Sequence, residues 1–309
     1  MKLSVVTTLY HSEAHVPAFH ARTVAAASAI TDDFEIIYVN DGSPDEALAV
    51  VLDLQKAEPR IVAVDLSRNF GHHRALMTGL QQARGDHIFM IDSDLEESPE
   101  LLADYWRTVS NDPEIDVVYG VQQRRKGGWF ERLSGRVWYG LFSILSNIDY
   151  PADGITARLM SRRYVDAVIS YPETQLELWG IFVLAGFEQR SIPVTKGCKG
   201  STTYNFARKL RMMVDSITSF SSMPLIASFV LGLMMTAVSF GFIIWLLLQR
   251  YVYDEIIEGW TSTLISIWFI GGLILFSLGI IGIYLAKVFL EIKKRPLTVI
   301  RRIHRIDDG

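Results

Sequence analysis

The chain has 309 residues, half of them hydrophobic, a net charge of −4 and a single cysteine, Cys198. That length accommodates one or two domains. The charge balance offers no basic surface for nucleic acid, and one cysteine excludes an internal disulfide and fits a reducing compartment.

The opening MKLSVVTTLYHSEAH has too short an apolar run, and no small-residue cleavage site after it, to be a signal peptide. Short β-rich runs then alternate with helical patterns. Strands are predicted at 3–9, 34–39, 61–66, 87–91 and 117–119, and helices at 13–30, 45–56, 71–84 and 98–110. Such alternation predicts βαβ units and a mostly parallel, Rossmann-like α/β sheet, whose ligands bind at the carboxyl ends of the strands.

Residues 121–210 are less regular. Arg124-Arg125-Lys126-Gly127-Gly128 and Lys196-Gly197-Cys198-Lys199-Gly200-Ser201 are basic, glycine-rich segments, and 129–147 is amphipathic and aromatic. The stretch 205–222 places Phe206, Leu210, Met213, Val214 and Ile217 on one helical stripe with Arg208, Lys209 and Arg211 elsewhere, a pattern suited to a membrane interface.

From 223 to 248 there is no charged residue, and 263–286 is a second such run. At about 1.5 Å per residue each crosses a hydrocarbon core of about 30 Å. The intervening loop carries Asp254, Glu255 and Glu258, whereas the outer flanks carry Arg208, Lys209, Arg211, Lys287, Lys293, Lys294, Arg295, Arg301 and Arg302. The excess of cations outside the pair predicts that both termini and the N-terminal domain face the cytoplasm. The expected division is a catalytic domain over 1–204, an interfacial helix over 205–222, a two-helix transmembrane hairpin within 223–290 and a basic cytosolic tail over 291–309.

The chemistry concentrates at the predicted strand ends. Ile88-Phe89-Met90-Ile91 runs straight into Asp92-Ser93-Asp94, with Glu96 following. Hard oxygen donors at that spacing suit Mg²⁺ or Mn²⁺ bridging to phosphates; solvated loop acids are the alternative. Asp41, in Asn40-Asp41-Gly42-Ser43, is placed to accept from a base or a ribose, or to cap the helix beginning near Asp45. Arg68, in Leu66-Ser67-Arg68-Asn69-Phe70-Gly71, is placed to meet a nucleotide or to lie in a solvated turn.

Taken in order, Tyr10 and Glu13, VNDGS, LSRNFG, the Asp-x-Asp acids, DVVYG at 116–120, ARLMSRRYV at 157–165 and the closing EIKKRP resemble glycosyltransferase family 2. Within it they resemble the membrane-anchored polyprenyl-phosphate glycosyltransferases, relatives of dolichol-phosphate-mannose synthase. The resemblance covers nearly the whole chain. It implies a GT-A fold, a nucleotide-sugar donor (UDP-, GDP- or dTDP-linked) and a divalent metal. The acceptor would be a polyprenyl phosphate, undecaprenyl phosphate or similar. Donor contacts would come from Thr8, Tyr10, Glu13, Asp41, Arg68, Asp92 and Ser93, and metal ligation from Asp92, Asp94 and Glu96, the last where many relatives have glutamine. Arg124, Arg125, Lys196 and Lys199 would meet the acceptor phosphate. Gln175-Leu176-Glu177-Leu178-Trp179 matches the acceptor-side segment, with Leu178 in place of the arginine of processive members. Many relatives place an acid two residues before the arginine of the Arg-Leu-Met segment; here Thr156 stands there, with Asp153 the nearest acid. Glu177 and Asp153 are the candidate bases, should the acceptor be a hydroxyl on a lipid-linked glycan instead. A non-catalytic, nucleotide-sugar-binding scaffold is a further alternative. The resemblance also implies an integral inner-membrane location and homo-oligomers, often tetramers.

Overall fold

The computed structural model describes residues 2–122, 154–173, 178–194, 218, 221–252 and 259–306. The expected sites at Arg124, Arg125, Asp153, Glu177, Lys196 and Lys199, and nearly all of the expected interfacial helix, lie outside the described residues.

Eight described strands form one sheet: β1 (Leu3–Leu9), β2 (Phe34–Asn40), β3 (Ile61–Leu66), β4 (His87–Met90), β5 (Val117–Gln122), β6 (Gly154–Ser161), β7 (Gln189–Val194) and β8 (Ile300–Arg305). Their spatial order is β7-β5-β6-β4-β1-β2-β3-β8. The central β4-β1-β2-β3 block is parallel, β7 runs parallel to β5, and β6 and β8 are antiparallel to their neighbours. Helices α1 (Val16–Ser28), α2 (Ala47–Ala57), α3 (His72–Gln82), α4 (Leu101–Asn111), α5 (Arg162–Ile169) and α6 (Leu178–Leu184) connect or follow these strands.

Every residue of β1, β2 and β3 is buried, as expected for strands covered on both faces. Alternation sorts their side chains into two cores. Val5, Ile36, Tyr38 and Ala63 pack with Phe19, Val51, Leu102 and Tyr105 on the α1, α2 and α4 face. Val6, Ile37, Val39 and Val64 pack with Leu76, Leu80, Tyr164 and Phe182 on the other. The chain proceeds from β1 to β2 to β3 on one side, then returns to lay β4 on the other side of β1. The β1–β4 boundary is therefore a topological switch point, where open α/β sheets form their ligand crevice.

Residues 300–305, expected within a basic tail, instead form edge strand β8 along β3. The reason is charge pairing: Arg301 reaches the buried Asp65 carboxylate at 3.3 Å, and Arg305 lies 3.5 Å from that of Glu35. The described residues before 195 and after 293 belong to one compact unit.

Two long helices, α7 (Met223–Val252) and α8 (Trp260–Ile292), belong to the second unit and pack on each other. Met223–Phe242 and Ser266–Ile292 are long and apolar enough to cross a membrane. Phe229, Leu233, Phe240, Trp268, Leu275 and Phe289 are exposed, so the described parts of both helices carry large apolar side chains on their surfaces.

Candidate active site

The carboxyl ends of β1, β2 and β4, with the loop after β3, converge on one edge of the sheet. The β1 exit begins at Thr8, which is buried, and continues through exposed Tyr10 to Glu13. His11 adopts φ 53° and donates its N–H to Ser43 Oγ at 2.8 Å. Glu13 and the α2 entry clasp each other: Glu13 N–H donates to Asp45 Oδ2 at 2.9 Å, and Glu13 Oε2 accepts from Glu46 N–H at 3.1 Å.

Asp41 follows β2 and is 2% exposed. It does not cap α2. Its two oxygens accept the N–H groups of Phe70 (2.7 Å) and Gly71 (3.0 Å), so it organises the loop between β3 and α3. Burial pushes its carboxyl above the usual range, while those two N–H groups and the nearby His72 and Arg68 oppose the shift. An ionised carboxylate has about four acceptor positions, so two direct N–H bonds leave capacity for a ligand. Arg68 is exposed on the same loop, its guanidinium 4.0 Å from the Phe70 ring centroid.

The acidic loop after β4 is fastened on both sides. Ser93 Oγ donates to Thr8 O at 2.8 Å, tying it to β1. Asp94 Oδ1 accepts Glu96 N–H at 3.0 Å, which closes a tight turn through Leu95 at φ 61°. Glu97, only 2% exposed, accepts the N–H groups of Thr156 (3.0 Å) and Ala157 (2.7 Å) on β6. Asp92, Asp94 and Glu96 remain half-buried between these anchors.

His72, the first residue of α3, spans β1 and β4: its Nδ1 lies 3.2 Å from Thr8 Oγ1 and its Nε2 3.3 Å from Asp92 Oδ1. Sequence reasoning passed over it, although a polar residue directly after the LSRNFG turn was the available signal. Glu97 carries no such signal, because in the sequence it is one of several acids that follow Asp94.

The site thus gathers Thr8, Asp41, Arg68, His72, Asp92, Ser93, Asp94 and Glu96, with Tyr10 and Glu13 on the adjoining exit of β1. Among the described residues no three His, Cys, Asp or Glu side chains form a ready-made metal cage. Two hard carboxylates on one short loop fit instead a cation such as Mg²⁺ or Mn²⁺, which takes one or two protein carboxylates and completes its shell with water and substrate phosphates.

The family model for glycosyl transferase family 2 matches residues 4–168. A Mycobacterium tuberculosis protein described as a glycosyltransferase is 43% identical over 99% of this chain and 90% of its own length. A prophage bactoprenol glucosyl transferase homolog of Escherichia coli K12 is 29% identical over 99% of this chain and 100% of its own. The bactoprenol glucosyl transferase of Shigella phage SfII is 29% identical over 99% of both. Among solved structures, a mannosyltransferase from Pyrobaculum calidifontis, in complex with GDP-Man and Mn²⁺, is similar with a TM-score of 0.50 at 16% identity, over 70% of this chain and 62% of that one. That last likeness concerns the fold, which is GT-A. With the family model spanning more than half of it and a close relative matching almost end to end, the chain belongs to glycosyltransferase family 2.

Proposed function

We propose that this glycosyltransferase moves one sugar from a nucleotide-activated donor to a polyprenyl phosphate held in a membrane. The observation that carries this reading is the presence, on one chain, of a carboxylate-rich strand edge and two helices long enough to span a bilayer. The full-length similarity to bactoprenol glucosyl transferases supports the lipid acceptor.

The chemistry agrees with the residues. A phosphate monoester has a second pKa near 6, the value for phosphorylated side chains, so its oxygen is already anionic at neutral pH. It attacks the anomeric carbon directly; the new C1–O bond forms as the bond from C1 to the diphosphate breaks, and the nucleoside diphosphate leaves with the electron pair. Displacement from the opposite face inverts the centre. A hydroxyl acceptor would need a general base. Thr156, where many relatives carry an acid, is compatible with an acceptor that needs none.

In this reading Asp41 and Arg68 engage the nucleoside, and Thr8, Tyr10, Glu13 and Ser93 shape the donor pocket. Asp92 and Asp94, with Glu96, would hold the divalent metal, which when bound neutralises charge on the departing diphosphate. The cations at Arg124, Arg125, Lys196 and Lys199 would position the acceptor phosphate. The charge distribution around the two apolar helices favours a catalytic domain on the cytoplasmic face of the membrane, and the family resemblance favours an inner-membrane homo-oligomer.

The test uses full-length protein in micelles with undecaprenyl phosphate, a panel of UDP-, GDP- and dTDP-sugars, and Mg²⁺ or Mn²⁺. A lipid product heavier by one sugar, lost in Asp94→Asn, is expected. Product only on a lipid-linked glycan would overturn the assigned acceptor.

A further inference from the structure

We infer that Arg301 on β8 is a positioning residue for the donor site: the segment that follows the second long apolar helix holds the two loops that carry Asp41 and Arg68. The inference rests on the donor site proposed above.

The contacts form a continuous path within the sheet domain. Arg301 Nη1 lies 3.3 Å from Asp65 Oδ2, and its Nη2 donates to Ser67 O at 2.8 Å. Ser67 N–H in turn donates to Val299 O at 2.9 Å, so the first residue after β3 is gripped on both its backbone groups by the C-terminal segment. Thr298 Oγ1 adds a 2.7 Å contact to Thr78 Oγ1 on α3. Ser67 opens the loop whose Phe70 and Gly71 N–H groups bind Asp41.

The other oxygen of Asp65 carries the path to the second loop. Asp65 Oδ1 accepts from Asn40 Nδ2 at 2.8 Å, and Asn40 Oδ1, oriented by that bond, accepts Ser43 N–H at 3.1 Å. Ser43 Oγ then accepts His11 N–H. Asp65 and Asn40 are 5% and 6% exposed, whereas the Arg301 side chain is 63% exposed. A buried carboxylate with one neutral donor is held at a fixed position by a guanidinium whose second nitrogen is fixed on Ser67. Fork geometry, not charge alone, sets the spacing between Asp65 and Ser67, which lysine cannot reproduce.

The experiment compares full-length wild type, Arg301→Ala, Arg301→Lys and Arg302→Ala, the last an exposed neighbour with the same charge change as Arg301→Ala. Hydrogen exchange reads residues 40–43 and 67–71; calorimetry with UDP, GDP and dTDP in the presence of Mn²⁺ reads the donor site at a temperature where every variant is folded. For Arg301→Ala we expect faster exchange in both loops and about tenfold weaker binding of the nucleotide that wild type binds, equivalent to about 1.4 kcal/mol. Arg301→Lys should fall between, and Arg302→Ala should match wild type. A merely structural arginine would lower the unfolding temperature with nucleotide affinity unchanged, and that result overturns the inference, as does unchanged exchange. If wild type binds none of the three nucleotides while the loops still loosen in Arg301→Ala, the donor site itself is wrongly placed, and the positioning role falls with it. Should Arg301→Ala fail to fold, Arg301→Lys bears the same test.

Discussion

Glu97 holds Thr156 by its backbone: one carboxylate oxygen accepts the Thr156 N–H at 3.0 Å while the other accepts that of Ala157 at 2.7 Å. The acidic loop is thereby stitched to β6, as Ser93 stitches it to β1. Replacing Glu97 by alanine leaves two buried N–H groups unpaired, each costing about 1–3 kcal/mol. Glu97→Ala should lower the thermal midpoint and reduce turnover at temperatures where the protein stays folded, because Asp92 and Asp94 lose their fixed spacing. Glu97→Gln, which keeps one acceptor and turns an amide toward the second N–H, should be intermediate. Turnover unchanged in both variants would remove Glu97 from any part in positioning the loop.

Asp94 is the site's most direct test of metal use. Asp94→Asn keeps shape and the acceptor for Glu96 N–H but removes the negative charge. Turnover should fall by about 100-fold or more, the scale seen when one transition-state electrostatic contact is removed. The apparent metal concentration for half-activity should rise as well. Chelation of wild type should abolish product, and readdition of Mg²⁺ or Mn²⁺ should restore it.

Much of the catalytic domain was legible because its strands announce themselves. Val5, Val6, Ile36, Ile37 and Ile88–Ile91 are apolar runs that only a doubly covered sheet buries. The acids at 92–94 were conspicuous because they interrupt such a run. By contrast β8 was illegible: Ile300-Arg301-Arg302-Ile303-His304-Arg305 has no alternation, and its arginines look solvated until Asp65 and Glu35 are seen beneath them. Those carboxylates lie more than 200 residues earlier, and no local pattern reports such a pairing. His72 and Glu97 were missed for a related reason: their roles depend on where a turn aims them.

Gly42 tests how closely the two loops of the proposed donor site approach. It sits at φ +59°, and a Cβ there would lie 2.5 Å from Asn69 N and 2.6 Å from Arg68 C, both backbone atoms. Gly42→Ala must therefore displace the Arg68 loop, in addition to a left-handed penalty of about 1–2 kcal/mol. Gly186, at φ +71° with nothing within 4 Å, isolates the conformational penalty alone. Gly42→Ala should destabilise more than Gly186→Ala and raise the KM for the nucleotide sugar, whereas Gly186→Ala should leave that KM unchanged. Steady-state kinetics with denaturant melts would separate the two effects.

Acid should weaken the fold starting near neutrality. Burial lowers the pKa of both His20 and His87 from 6.5, against the opposing pull of Glu58 on the first and Asp86 on the second. A depressed folded pKa means the unfolded chain binds the proton more readily. Stability is thus complete above 6.5 and declines as pH falls through that value toward the folded pKa. Each histidine contributes at most about 1.36 kcal/mol per pH unit. Denaturant midpoints should fall as the pH drops below 6.5, and His87→Gln should flatten that decline by one group's share. Identical slopes in wild type and variant would show that His87 protonates equally in both states.

The sheet domain draws its edge strand β8 from beyond the two long apolar helices, so a cut after residue 204 removes part of it. A fragment ending at Tyr204 would retain β3 but lose β8, leaving β3 as an open edge. Asp65 would then lack Arg301 and Glu35 would lack Arg305, although the two carboxylate side chains are only 7% and 3% exposed. Stripping the partner from a buried ion pair costs about 3–5 kcal/mol when the remaining charge stays buried, and less where the pair is open to solvent, as Arg301 is. The loss of Gln55 Nε2 bonding to His304 O adds to that deficit. An unpaired hydrophobic edge also invites strand addition from another chain. The 1–204 fragment should aggregate or melt well below a second chain in which 1–204 is joined by a flexible linker to 294–309. Asp65→Asn should narrow the gap, because the buried charge that needs Arg301 is gone. Equal melting of the two fragments would mean that β8 adds nothing to the sheet's stability.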